Sequence, residues 1–184
     1  MKQLFTLFIL SISSATFSQN WSIKGPVGFS LGNSVNQKLV VDSNGDLIVK
    51  YADITNGSGL TVRKFNGTNW LVMGSEGFTP AVPAAQYSDI ALDGNDVPYV
   101  VYLEGPANGY KAGVKTFNGT AWVQVGPVGV SPNSASFMDI ALDGNNDPYI
   151  CFKDPITLQA SVMKYNGTSW LYIGAPDFTP GEVY

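Results

Sequence analysis

Short apolar stretches broken by clusters of Gly, Asn, Asp and Pro run along this chain, four to a unit and three units in all. In the middle unit they are residues 87–92 (YSDIAL), 97–103 (VPYVVYL), 111–117 (KAGVKTF) and 120–125 (TAWVQV). Their length, their Val, Ile, Tyr, Phe and Thr content and the turn residues around them predict four short strands per unit. An Asp-Gly-Asn segment closes the first hairpin. Asn118-Gly119 closes the last as a two-residue primed turn, which needs positive φ. The same reading applies to the sequences FNGTNW, FNGTAW and YNGTSW at residues 65–70, 117–122 and 165–170. Gly67, Gly119 and Gly167 make the turn, and Trp70, Trp122 and Trp170 supply a large packing residue that is expected to face the next unit.

The period is near 50 residues. Trp21, Trp70, Trp122 and Trp170 are spaced by 49, 52 and 48, and the Asp-rich turns at 42–46, 93–96 and 143–147 keep step. Units of this length built from four strands, each apolar on both faces, bury themselves only by packing on one another around an axis. The expected fold is all-β: a partial β-propeller ring of three four-stranded antiparallel blades with a leading fourth strand. The expected organisation is a signal peptide over 1–18, an orphan fourth strand and connection over 19–35, and blades with their connections over 36–86, 87–136 and 137–184. Three blades do not close a ring, and the chain stops within a connection (compare Phe178-Thr179-Pro180 with Phe78-Thr79-Pro80), so a fragment of a longer repeat protein is expected. Self-association through the open blade edges is the alternative.

Composition narrows the function. Met1-Lys2-Gln3, an apolar run over 4–12 and small polar residues to Ser18 have the layout of an export signal too short to span a membrane. No later segment is apolar enough to cross one, so a secreted or cell-surface protein without membrane insertion is expected. Charged residues make up only 13%; without Lys2 the chain has nine basic residues against 14 acidic ones, and Arg63 is its one arginine. That balance argues against a nucleic-acid backbone as partner. There is no His, and the one Cys, Cys151, matches Val101 of the preceding unit and reads as a buried small hydrophobe. Losing the commonest general base weighs against an enzyme.

A resemblance follows from these segments. VMKYNGTSWLYIG and VRKFNGTNWLVMG look like the third and fourth strands of kelch-type blades. DIALDGNNDPYI and DIALDGNDVPYV resemble first hairpins of β-propeller repeats in large exported proteins of Bacteroidota type, some carried by a type IX secretion system. The resemblance spans essentially the whole mature chain. It lacks the Gly-Gly doublet of kelch, so it implies a propeller and no kelch partner or activity.

Chemistry is sparse. Asp53, Glu104 and Asp154 each follow the second strand in the pattern aromatic-x-acid, on the face of the 2–3 loops and unit connections. Asp89 and Asp139 sit early in first strands, nearest the same face and the central channel. With Phe29, Phe78 and Phe178 of the connections, these acids form the candidate ligand site: carboxylates accept sugar hydroxyls and aromatic faces cover C–H patches. The competing reading is that the acids cap their own turns. Asp42, Asn44 and Asp46, and likewise Asp143, Asn145 and Asp147, alternate like the first half of a calcium loop but lack its later Glu; no metal is assigned on that ground. Asn66, Asn118 and Asn166 head glycosylation sequons that the turn already explains. No nucleophile motif, phosphate loop or cofactor signature occurs, and no cofactor is expected. The expected role is a non-catalytic binding or interaction module for a protein or a glycan. A lectin-type propeller with similar pockets between successive blades is the first alternative, and a glycosidase or lyase the second.

Overall fold

The computed structural model describes residues 22–57, 59–82 and 87–183; the signal-peptide expectation and Trp21 lie outside them. Among these residues twelve strands form three four-stranded antiparallel sheets. Blade 1 contains β1 (Ser34–Val41), β2 (Leu47–Asp53), β3 (Gly59–Phe65) and β4 (Trp70–Val72). Blade 2 contains β5 (Asp89–Leu92), β6 (Pro98–Leu103), β7 (Ala112–Phe117) and β8 (Trp122–Gln124). Blade 3 contains β9 (Ser136–Leu142), β10 (Pro148–Lys153), β11 (Ala160–Tyr165) and β12 (Trp170–Tyr172). Strand order follows chain order in every sheet, and the first strands of successive blades lie against one another. This is an arc of a β-propeller.

The turns explain the recurring motifs. In the first hairpin of blade 2, Asp93 Oδ1 accepts the backbone N–H groups of Asn95 and Val97, both at 2.8 Å. Asp42 and Asp143 accept the corresponding pairs in the other blades. In the last hairpin the left-handed residue is Gly119 alone, at φ 94°, with Asn118 outside the left-handed region. The bend is therefore one residue later than the Asn-Gly pair predicts. Asn118 instead offers its side-chain oxygen to the N–H groups of Thr120 and Ala121, at 3.0 and 2.9 Å. Gly67 and Gly167 repeat the geometry.

Blades are joined at their outer ends by the tryptophans. Trp122 donates its indole N–H to the carbonyl of Met73 at 2.8 Å, and Trp170 to that of Val125 at 3.1 Å. Each Trp thus faces the preceding blade, where the sequence reading expected the next one. Trp70 repeats the bond at 3.0 Å to Lys24, and Gly25 lies under its ring as Gly74 lies under that of Trp122. Residues 22–33 form no strand, yet Lys24 and Gly25 occupy the place that the end of a fourth strand fills for the other two blades. Phe29 and Phe78, expected near the ligand, stack on Trp70 and Trp122 with ring centroids 4.8 and 4.4 Å apart. They are wedge residues of the blade interface.

The inner core explains why middle strands are apolar on both faces. Val62, Val100, Val101 and Val114 are fully buried, and β2 is buried along nearly all its length between its neighbours. Cys151, expected to be buried, is half-buried, since its face of β10 carries no neighbouring sheet among the described residues. Burial still pushes its thiol above the ordinary value, with Asp139 adding to the shift.

Candidate ligand cleft at the inner strands

A cleft of about 610 Å³ opens where the three first strands begin. It is lined by the same three repeat positions from each blade: 36–38, 87–89 and 137–139. The volume lies in the range of small-ligand sites. Blades 2 and 3 both place an aromatic at the first position and an acid at the third, Tyr87 with Asp89 and Phe137 with Asp139. Blade 1 departs from the pattern with Asn36, Gln37 and Lys38.

That departure builds a charged cluster. Lys38 Nζ lies 2.6 Å from Asp89 Oδ1 and 3.7 Å from Asp139 Oδ1. Asp89 is buried, and its other oxygen accepts the backbone N–H of Ile140 at 3.2 Å. Burial pushes the Asp89 carboxyl above the ordinary carboxylate range, and a hydrogen bond with Asp139 pushes the same way. The same bond holds Asp139 below that range. The buried Asp89 therefore takes up a proton more readily than the exposed Asp139, whose side chain is 72% accessible. Above them the rings of Tyr87 and Phe137 meet at 4.9 Å, tilted by 48°. Lys153 Nζ lies 5.5 Å from the Phe137 ring centre.

Beneath the cleft lies Lys50, which is fully buried. Its ammonium donates to the Asn36 carbonyl at 2.9 Å, the Ser88 carbonyl at 2.7 Å and the Ser88 hydroxyl at 3.0 Å. Burial lowers its pKa to about 8; Asp89 counters that effect and Lys38 adds to it.

Of the five acids expected at a ligand site, only Asp89 and Asp139 meet there. Asp53, Glu104 and Asp154 are buried at or just past the ends of their second strands. Asp53 caps the short 3-10 turn Ile54–Asn56 by accepting the N–H of Thr55 at 2.9 Å. Asp154 accepts the N–H of Ile156 at 2.7 Å and the side-chain amide of Asn133 at 3.0 Å. Glu104 accepts the Tyr102 hydroxyl at 2.8 Å. Lys38 and Lys50 were missed by sequence reasoning. Their signal is a mismatch: four residues before each turn Asp, blade 1 has Lys where the others have Asp, and its cross-strand partner is Lys where the others have Val101 and Cys151.

The calcium-like loops hold an ammonium. Lys64 Nζ lies 2.7 Å from Asp42 and 3.0 Å from Asp46; Lys164 Nζ lies 3.1 Å from Asp143 and 2.9 Å from Asp147. In the middle blade both partners change together, to Val97 and Thr116. Asn44 and Asn145 give backbone N–H groups to the turn Asp. Among the described residues no group of three or more acidic or sulfur side chains is placed to hold a metal.

No protein-family model matches the chain, and no curated protein matches it. Solved structures do. An ulvan lyase of a polysaccharide lyase family matches with TM-score 0.56 at 12% identity, over 79% of this chain and 40% of the lyase. A protein of unknown function from Dyadobacter fermentans matches with TM-score 0.53 at 14% identity, over 79% of this chain and 52% of its own. A fucose lectin from Kordia zhangzhouensis, in complex with methyl-fucoside, matches with TM-score 0.46 at 12% identity, over 76% of this chain and 99% of the lectin. The chain spans about half the length, or less, of the first two. At these identities the likeness concerns the fold alone. Among the described residues no helix is long and apolar enough to cross a membrane.

Proposed function

We propose that this chain is a non-catalytic, glycan-binding part of an exported or cell-surface β-propeller protein, and that the inner-strand cleft is its binding site. The observation that carries the reading is the Asp89–Asp139 pair, bridged by Lys38 and set under the Tyr87–Phe137 lip. The exposed carboxylate of Asp139 accepts sugar hydroxyls, and the Lys38 ammonium donates to them. The aromatic rings cover the apolar C–H face of a pyranose.

The same geometry argues against hydrolysis. A glycosidase keeps its two carboxyl groups about 5–9.5 Å apart, so that the scissile bond or a water fits between them. Here one ammonium, Lys38 Nζ, already lies 2.6 Å from one carboxylate and 3.7 Å from the other. Cleavage by a lyase requires a base that can reach the sugar, and the amine lowered toward neutrality, Lys50, is fully buried.

At the cleft surface the partly exposed Lys38 lies against the exposed carboxylate of Asp139, one cation against one anion, which favours a neutral sugar over a polyanion. A glycan array probed with residues 19–184 tests the reading. It should contain neutral glycans alongside uronate and sulfated polysaccharides, since a fold neighbour is a polysaccharide lyase. Binding to neutral glycans that Asp139→Asn weakens supports the proposal. Absence of binding across the array, or turnover of any glycan, contradicts it.

A further inference from the structure

Lys50 stands where the fold accepts an apolar residue. It pairs with Lys38 across β1 and β2, at the register where blade 2 pairs Asp89 with Val101 and blade 3 pairs Asp139 with Cys151. A blade therefore does not need a lysine at this position, and burying an ammonium has a cost that Val101 avoids. The cost is offset by three hydrogen bonds, all to residues of the cleft wall.

Those acceptors belong to two separate segments. Asn36 sits at φ 53°, within the irregularity where the β1–β2 register slips between Val35 and Lys38. Ser88 is the residue between Tyr87 and Asp89. The Asn36 side-chain amide also donates to the Ser88 carbonyl at 3.2 Å and to its hydroxyl at 3.0 Å. One ammonium thus ties the distorted start of blade 1 to the start of blade 2, directly under the residues that face the ligand.

We propose that Lys50 is a positioning residue: through Asn36 and Ser88 it fixes the spacing between Lys38 and the Tyr87–Asp89 edge, and so sets the affinity of the cleft. The inference rests on the glycan-binding reading. The charged groups facing Lys50 are Lys38 on β1 and Asp89 on β5, with Asp139 on β9 beyond Lys38. Loss of its proton removes one of three donors and the charge that holds two carbonyl oxygens together. Affinity should therefore fall as pH rises through about 8.

The test compares the wild-type mature chain with Lys50→Val, the residue blade 2 uses, and with Lys50→Met, which keeps the aliphatic stem. Three properties are read: thermal melting, amide hydrogen exchange, and affinity across pH 8 for a glycan the wild type binds. The expected result is melting no lower than wild type, faster exchange confined to residues 36–38 and 87–89, and affinity reduced about tenfold or more. The wild-type decline near pH 8 should be absent from both variants. Wild-type affinity or unchanged exchange in a folded variant overturns the proposal, as does failure of both variants to fold, which would make Lys50 a requirement of the blade. A wild type that binds no glycan contradicts the proposed function instead, and the exchange comparison still decides whether Lys50 holds the two segments.

Discussion

Trp122 of blade 2 donates its indole N–H to the carbonyl of Met73 in blade 1 at 2.8 Å, while Phe78 lies flat against its ring at 4.4 Å. The contact recurs as Trp70 with Lys24 and as Trp170 with Val125, so it is the means by which each blade fastens to what precedes it. Trp122→Phe keeps the stacked ring but leaves the Met73 carbonyl without its donor, at an expected cost of about 1–2 kcal/mol. Trp122→Ala also empties the wedge and should cost about 3–5 kcal/mol. Urea unfolding of the two variants checks both the order and the gap.

The Asn-Gly-Thr turn makes a second prediction. Gly119 holds φ 94°, and no atom lies within contact distance of an added Cβ, so Gly119→Ala meets backbone strain and no clash. The expected loss is about 1–2 kcal/mol. Thr120→Ala, with a backbone outside the left-handed region, should be close to neutral. If both changes cost the same, the assignment of the bend to Gly119 is wrong.

Lys164 and its two carboxylates form a unit that blade 2 replaces as a whole. The Asp143 carboxyl is lowered to about 2, first by the backbone N–H of Asp147 and then, after a smaller opposing effect of burial, by Lys164. The Lys164 amine is raised by the Tyr149 hydroxyl and by Asp147 and Asp143. Replacing Asp147 with Val and Lys164 with Thr together installs the blade 2 pair, and the double variant should be more stable than the Asp147→Val variant, which leaves Lys164 short of a partner. Because the ammonium already lies between the acids, millimolar calcium should leave the wild-type melting temperature unchanged. A calcium-dependent rise would place a cation there instead.

Lys50 gives stability an opposite pH trend from binding. Its pKa is about 8 in the folded chain and 10.5 when unperturbed, so between these values the unfolded chain binds more protons and this residue's contribution to stability rises with pH. Lys64 and Lys164 are raised by their partners, so their contributions persist through that window and fade only above it. Unfolding free energies of wild type and Lys50→Val, measured at several pH values, should show the wild type gaining on the variant between about 8 and 10.5. A constant difference would mean that Lys50 is not held toward its neutral form.

How far the sequence speaks depends on whether a residue acts locally. Asp93 and Asn118 do their work within four residues, on amides of their own turns, and the strands they bound begin within about two residues of where the pattern puts them. Asp53, Glu104 and Asp154 share the aromatic-x-acid pattern that suggested a ring of ligand groups. The pattern does not show which way a carboxylate turns: Asp53 and Asp154 turn into their own loops, and Glu104 turns to the Tyr102 hydroxyl over Gly113 of β7. Asp89 and Asp139 were legible as positions near the axis. Their cations were not, because comparing repeats draws attention to what recurs, whereas Lys38 and Lys50 matter by departing from it. The triplets 36–38, 87–89 and 137–139 meet only when three blades pack side by side.

The departure of blade 1 from the repeat also gives the central claim its most direct test. If the cleft is the binding site, its asymmetry permits one glycan per chain, and isothermal titration of the mature protein with a glycan drawn from the array should return a stoichiometry near one. Asp139→Asn should abolish or sharply weaken that binding, while the loop-capping change Asp154→Asn should leave its stoichiometry intact. Several equivalent sites per chain, or binding indifferent to Asp139, would show that the glycan sits between blades and that the inner-strand cleft is not where this protein binds.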